Sequence, residues 1–232
     1  FEQGDVQHWW LPETGAGVRT RISDDTAWLV YCTAYYVKLT GDASILDVPV
    51  PFLTGRALEK GEHDAFYVPD VSGRSASLYE HCVLALSYSH RLGSHGLPLM
   101  GTGDWNDGMN RVGEGGKGES VWLGWFLCRT LTTFAEIAGS RRDGRRAAKL
   151  LRWRDALAVS LDRSGWDGAW FRRAYFDDGT PLGTVDADEC RIDAIAQSWA
   201  VLSGVADADR AREAMTSVER HLLDWDDRIA CL

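Results

Sequence analysis

Residues 119–138 place Val121, Trp122, Leu123, Trp125, Phe126, Leu127, Leu131, Phe134 and Ile137 around nearly every side of one helical wheel. A helix that is apolar all round must be covered from several directions. No apolar run in the chain reaches the ~18 residues of a membrane span, so the cover has to come from other protein segments. Five further helices are predicted to supply it. Residues 25–39 put Trp28, Leu29, Cys32, Tyr35, Tyr36 and Leu39 at helical spacing, with Gly41 as a stop. Residues 77–92 open on a Ser77-x-x-Glu80 capping box and end before Gly93. Residues 145–161 are one-sided, with Leu150, Leu151, Leu157 and Leu161 opposing Arg145, Arg146, Lys149 and Arg152. Residues 191–203 and 207–223 complete the set, split by Gly204. Between the fourth and fifth helices, residues 166–183 read as a hairpin around Asp177-Asp178-Gly179.

The expected class is therefore all-α with one small β-hairpin insertion. There is no β-α-β alternation, no clean repeat and no low-complexity linker. The loops ahead of Asp25, Glu119 and Arg191 are long, glycine-rich and crowded with Asp, Trp, Arg and Asn, whereas the others are short and plain. That alternation is what a ring of helical hairpins gives when its functional loops all open at one end.

Charge and cysteine usage narrow the function. The chain has 232 residues, with 34 acidic against 25 basic and a net charge of -9. Nucleic acid or an anionic membrane surface needs clustered Lys and Arg, so neither is an expected partner. The five cysteines are odd in number, widely spaced and never in a C-x-x-C pair. They read as buried reduced thiols in a cytoplasmic setting. The six histidines lack metal-ligand spacing, and no G-x-G-x-x-G, P-loop or G-x-S-x-G segment is present; no metal or cofactor is expected. Eleven tryptophans remain to be explained, either as bulky core or as walls for stacking sugar rings.

The densest group of chemically capable residues is Gly101-Thr-Gly-Asp104-Trp105-Asn106-Asp107-Gly-Met-Asn110. Asp104 and Asp107 lie three apart between two glycine-rich stretches, a setting in which one carboxyl can be buried while the other works as an acid; capping of a turn is the plainer alternative. A second group, Arg19-Thr-Arg21-Ile-Ser-Asp24-Asp25, runs into the first helix. Its two arginines alternate and would point the same way on an extended segment, while Ser23, Asp24 and Asp25 are also N-cap types. A third, Gly4-Asp5-Val-Gln7-His8-Trp9-Trp10, has adjacent tryptophans that offer either a sugar platform or core plugs. In a fourth, Glu189 and Arg191 precede a helix, as substrate contacts or as a structural ion pair. Acidic loops rich in Trp and Arg suit a neutral polyol, which makes glycoside cleavage the natural reaction class.

Five segments together carry a family resemblance: Gly4-Asp-Val-Gln-His-Trp-Trp10, Val18-Arg-Thr-Arg-Ile-Ser-Asp-Asp25, Ser77-Leu-Tyr-Glu-His81, His95-Gly-Leu-Pro-Leu-Met-Gly-Thr-Gly-Asp-Trp-Asn-Asp107 and Ile195-Ala-Gln-Ser-Trp199. The chain resembles glycoside hydrolase family 94, the cellobiose and chitobiose phosphorylases, and within it the phosphorylase-like part of cyclic β-1,2-glucan synthases. The resemblance implies an (α/α)6 barrel and inverting phosphorolysis of a β-glucoside to α-glucose 1-phosphate, with inorganic phosphate as co-substrate. It implies Asp107 as general acid and Trp105 lining the sugar subsite. Asp104 supports the motif, and Arg19, Arg21, Asp24 and Asp25 fall in the sugar-subsite region; His8, Trp10 and Glu189 complete the candidate set.

An inverting hydrolase would need a second carboxylate, and Glu189 is the candidate for it. A non-catalytic glucan-binding module is the third reading. Residues 1–232 are expected to be part of a single catalytic domain truncated at both ends, since a barrel of about twelve helices of ~11–12 residues exceeds this chain. By the same resemblance, the chief phosphate-binding segments lie outside it and the isolated chain turns over poorly. The parent protein is expected to carry glycosyltransferase and membrane domains, with this segment at the cytoplasmic face.

Overall fold

The computed structural model describes residues 1–231, so Leu232 at the apolar end of the sequence lies outside the described residues. Among the described residues six α-helices form: α1 (Asp25–Thr40), α2 (Leu78–Ser89), α3 (Val121–Ser140), α4 (Gly144–Ser160), α5 (Ala194–Ser203) and α6 (Ala208–Leu222). Their ends follow local chemistry. The Ser77 hydroxyl accepts the Glu80 amide ahead of α2, and Ser120, Asp143, Asp193 and Asp207 cap α3, α4, α5 and α6 in the same way. Gly41 and Gly204 close α1 and α5 in the left-handed conformation, with φ of 73° and 72°.

The helices pack as consecutive pairs, α1 with α2, α3 with α4 and α5 with α6. The first members of the pairs also lie side by side, α3 touching both α1 and α5. Helix α3 is thus the centre of the molecule, as its apolar surface demands. Trp122, Trp125, Phe126 and Phe134 on it are fully buried. Phe126 meets Trp28 of α1 at 4.5 Å and Trp199 of α5 at 4.8 Å between ring centroids, which joins the three helices through one aromatic cluster. Each large ring removes roughly 150–250 Å² from water, about 4–6 kcal/mol before the entropy of ordering is subtracted.

The β content exceeds the single hairpin expected. Ten short strands occur among the described residues: β1 (Gln7–Trp10), β2 (Gly17–Thr20), β3 (Pro49–Thr54), β4 (Asp64–Tyr67), β5 (Asp70–Ser77), β6 (Glu119–Ser120), β7 (Ala174–Tyr175), β8 (Pro181–Leu182), β9 (Leu223–Asp224) and β10 (Ile229–Ala230). Strands β1, β2 and β4 make one antiparallel sheet, and β3 pairs with β5. The hairpin at Asp177-Asp178-Gly179 forms as β7 and β8, with β6 added as a third strand. The cysteine reading also needs correction. Cys82 and Cys128 are buried, but Cys32, Cys190 and Cys231 are exposed: they sit on an outward helix face and in loops. No helix among the described residues is long and apolar enough to cross a membrane.

Candidate active site

The N-terminal ends of α1, α3 and α5 converge, and one arginine ties two of them to the glycine-rich loop. Arg173, just ahead of β7, donates to both oxygens of Asp104 at 2.7 and 2.5 Å and through Nε to Asp193, the α5 cap, at 2.9 Å. Asp104 also accepts the hydroxyl of Ser120, the α3 cap, at 2.7 Å. Asp104 is 1% exposed. A charge so deeply buried is tolerable only when paired and fully hydrogen-bonded, and here every oxygen has a partner. This cluster fixes the loop; it does not face a ligand.

The same loop is fastened to the approach to α1. Ser23 donates through both its amide and hydroxyl to the Gly103 carbonyl, at 3.0 Å each. Gly101 has φ +63°, and a Cβ there would stand 2.0 Å from the Arg21 carbonyl oxygen. Only glycine admits that approach. Beyond the anchor, Asp104 accepts the Asn106 amide and Asn106 accepts the Gly108 amide. These two Asx turns bring residues 107–109 round as one tight helical turn. Asp107 therefore stands at the surface with a 61% exposed side chain, next to the half-exposed Trp105.

Asp107 is held by a chain of polar contacts. Its Oδ2 lies 3.2 Å from His8 Nε2, and His8 Nδ1 lies 2.9 Å from Asp25 Oδ1. Asp25 in turn accepts the Thr20 hydroxyl at 3.3 Å. Burial opposes a charge on His8, but the hydrogen bond and charge of Asp25, with Asp107 adding, prevail and hold the imidazole above its usual range. Burial raises Asp25 as well. Its neighbour Asp24 is pushed up to about 7 by burial, with Asp25 and Asp104 reinforcing and the Trp28 indole N–H opposing. Trp28 Nε1 donates to Asp24 at 2.8 Å.

His8 separates two clefts. One, of about 380 Å³, contains Asp107, Asn110, Thr20, Asp64 and Trp9. The other, of about 680 Å³ and more apolar, contains Trp10, Asp25, Trp28 and Cys32. The adjacent tryptophans thus serve different spaces.

The structure brings His8, Asp25 and Asp107 into direct contact, with Asp24 and Trp10 alongside. Arg19 and Arg21 do share a face, but their guanidinium groups are engaged with the protein. Buried Arg19 grips Asp5 through two contacts of 2.6 and 2.9 Å and the Arg56 carbonyl. Exposed Arg21 donates to the carbonyls of Leu58, Glu59 and Glu62. Glu189 and Arg191 are both exposed, and among the described residues no ion pair joins them; the paired acid of that loop is Asp193. Sequence reasoning missed Arg173 and Ser120. The adjacent Arg172 and Arg173 between Phe171 and Ala174 were the available signal for the first.

The family model for the glycosyl hydrolase 94 superfamily catalytic domain matches residues 1–227. The cyclic beta-(1,2)-glucan synthase NdvB of Rhizobium meliloti (strain 1021) is 54% identical over 233 residues, covering 100% of this chain and 8% of the synthase. Solabiose phosphorylase of Paenibacillus borealis is 35% identical over 96% of the chain and 26% of that enzyme. The 3-O-beta-D-glucopyranosyl-beta-D-glucuronide phosphorylase of the same organism is 32% identical over 85% of the chain and 24% of that enzyme. The chain thus spans a small part of the length of each relative.

Proposed function

The chain belongs to the glycosyl hydrolase 94 superfamily, and we propose that it carries the proton-donating side of an inverting glycoside phosphorylase site. Asp107 is the general acid. One observation carries the assignment: of two carboxyls in the same short motif, Asp104 is sealed by Arg173, while Asp107 is open to a cleft and held by an imidazole. In the reaction, a phosphate oxygen attacks the anomeric carbon from the face opposite the leaving group. Asp107 gives its proton to the glycosidic oxygen as the bond breaks. The products are α-glucose 1-phosphate and a shortened sugar with a new hydroxyl. Phosphate is itself the nucleophile, so no second carboxylate is needed to activate water.

His8 prepares the acid. Bonded to Asp25 through Nδ1 and to Asp107 through Nε2, the imidazole fixes the direction in which the acid faces the cleft until a glycosidic oxygen takes its place. Trp105 lines the reacting sugar, with Trp10 and Asp25 in the adjoining cleft, buried Asp24 held by Trp28 behind them, and Arg19 and Arg21 bracing the walls. The favoured substrate is β-1,2-glucan, on the likeness to a synthase of that polymer. In the parent protein this activity sets glucan chain length. The side-by-side α1, α3 and α5, each backed by the next helix in sequence, support about half of an (α/α)6 barrel.

The test is Asp107→Asn in the intact natural protein, assayed with phosphate and β-1,2-, β-1,3- and β-1,4-linked glucans. Wild type releases α-glucose 1-phosphate only with phosphate present, fastest from the β-1,2 polymer, and the variant loses roughly 10²–10⁴-fold in rate while still binding sugar. Unchanged release by the variant, or sugar release by wild type without phosphate, overturns the reading.

A further inference from the structure

The cleft that holds Asp107 has a floor that the acid chemistry does not use. It is one face of the β1-β2-β4 sheet. Val18 on the middle strand pairs with Trp9 on one side and Phe66 on the other, so the three side chains form a row across the sheet. Val18 is 8% exposed beneath the two rings, which are themselves 46% and 57% exposed. The rings lie 5.6 Å apart and are inclined by 33°, making a shallow aromatic trough open to solvent. Two residues along, and therefore on the same face, Thr20 pairs with Asp64. An aromatic row is thus followed by a row of hydroxyl and carboxylate, and Trp9, Val18, Thr20 and Asp64 open on the cleft that also contains Asp107.

We propose that this sheet face is an extension subsite for a glucan chain, stacking a sugar ring on Trp9 and Phe66 beyond the residues joined by the scissile bond. The inference rests on the glycoside reading of Asp107 given above. Sugar rings present apolar C–H faces and a rim of hydroxyls. A flat aromatic row takes the first, and Asp64, Thr20 and Asn110 take the second. Charge supports the same occupant. The ionisable groups in the cleft are Asp64, Asp107, His8 and His63, with no arginine or lysine among its lining residues, so a neutral polyol fits and a polyphosphate does not. Trp105, beside the acid in sequence, serves the nearer ring; the sheet serves the next.

The test titrates this chain calorimetrically with a β-1,2-linked glucose disaccharide and the corresponding hexasaccharide. Wild type binds the hexasaccharide about tenfold more tightly than the disaccharide. Trp9→Ala and Phe66→Ala each remove most of that preference and leave disaccharide affinity unchanged. Phe66→Leu, which keeps Val18 covered but lacks the flat face, behaves like Phe66→Ala. Tyr36→Ala, an exposed ring on α1 away from the cleft, keeps the preference. A wild type indifferent to length, or Trp9 and Phe66 variants that retain the wild-type ratio, overturns the proposal. A retained length preference, with no α-glucose 1-phosphate released by the intact natural protein, sinks the phosphorolysis reading and leaves the subsite standing.

Discussion

Asp104 and Asp107 are the same residue type, three positions apart in one loop, and their surroundings are opposite. Asp104 is closed off by Arg173, Ser120 and the Asn106 amide. Asp107 has a mostly exposed side chain and a single imidazole partner. The first geometry spends its hydrogen-bonding capacity on the protein. The second keeps that capacity for something that arrives. Pinning Asp104 to two helix caps holds the turn that presents Asp107 rigidly; under the proposed mechanism, such a preorganised acid loses little on binding its substrate.

Arg173→Ala breaks this comparison most severely. It leaves Asp104 charged, buried and unpaired, which costs about 3–5 kcal/mol of stability; the denaturant midpoint reads it. Asp107→Asn leaves that midpoint at the wild-type value, although the proposed mechanism expects it to slow turnover roughly 10²–10⁴-fold. Asp104→Asn combined with Arg173→Met removes both charges and recovers part of the lost stability. A midpoint unmoved by Arg173→Ala contradicts the anchoring role.

Asp24 extends the contrast to pH. Its folded-state value of about 7 stands above the ordinary 3.8, so between those values the native state holds a proton that the unfolded chain has released. Stability therefore falls as pH rises from about 4 to about 7 and is level above that. The total is several kcal/mol at most. Asp24→Asn keeps an acceptor for the Trp28 indole and removes the charge. Thermal melts from pH 4 to 8 should lose this downward slope in the variant, and a slope equal to wild type counts against a proton held at Asp24.

The helical half of this arrangement was legible because helices are local. The apolar wheel of residues 119–138 requires a central helix whatever surrounds it, and Ser77-x-x-Glu80 marks a start within four residues. The sheets were not legible. Strands β1, β2 and β4 have four residues each, too few for a periodic signal, and β2 takes its second partner from some forty residues further on. The site divides along the same line. The motif from Asp104 to Asp107 stands out in the sequence, whereas Arg173 belongs to a different hairpin and meets Asp104 only in the folded chain. Arg19 and Arg21 show the converse. Their alternation correctly puts them on one face, but alternation carries no information about the carbonyls and the Asp5 that they meet there. Trp9 and Trp10 look equivalent in sequence, yet the pleat of β1 sends them to different clefts.

The mildest perturbation acts on the exposed carboxyl alone. His8→Gln retains a hydrogen-bonding side chain between Asp25 and Asp107 but gives up the ionisable ring. Burial opposes a charge on the imidazole, but the hydrogen bond and charge of Asp25 hold it above its usual range, so His8 keeps its proton further toward neutral pH than a free imidazole does. Glutamine does not titrate, so under the proposed mechanism the limb of the kcat/KM profile that follows the imidazole is absent from the variant. Activity at pH 7 falls roughly tenfold, with binding of the disaccharide and the thermal midpoint unchanged. A profile that keeps its shape while falling uniformly would show His8 to be a spacer; a lost limb identifies its titration as part of the reaction.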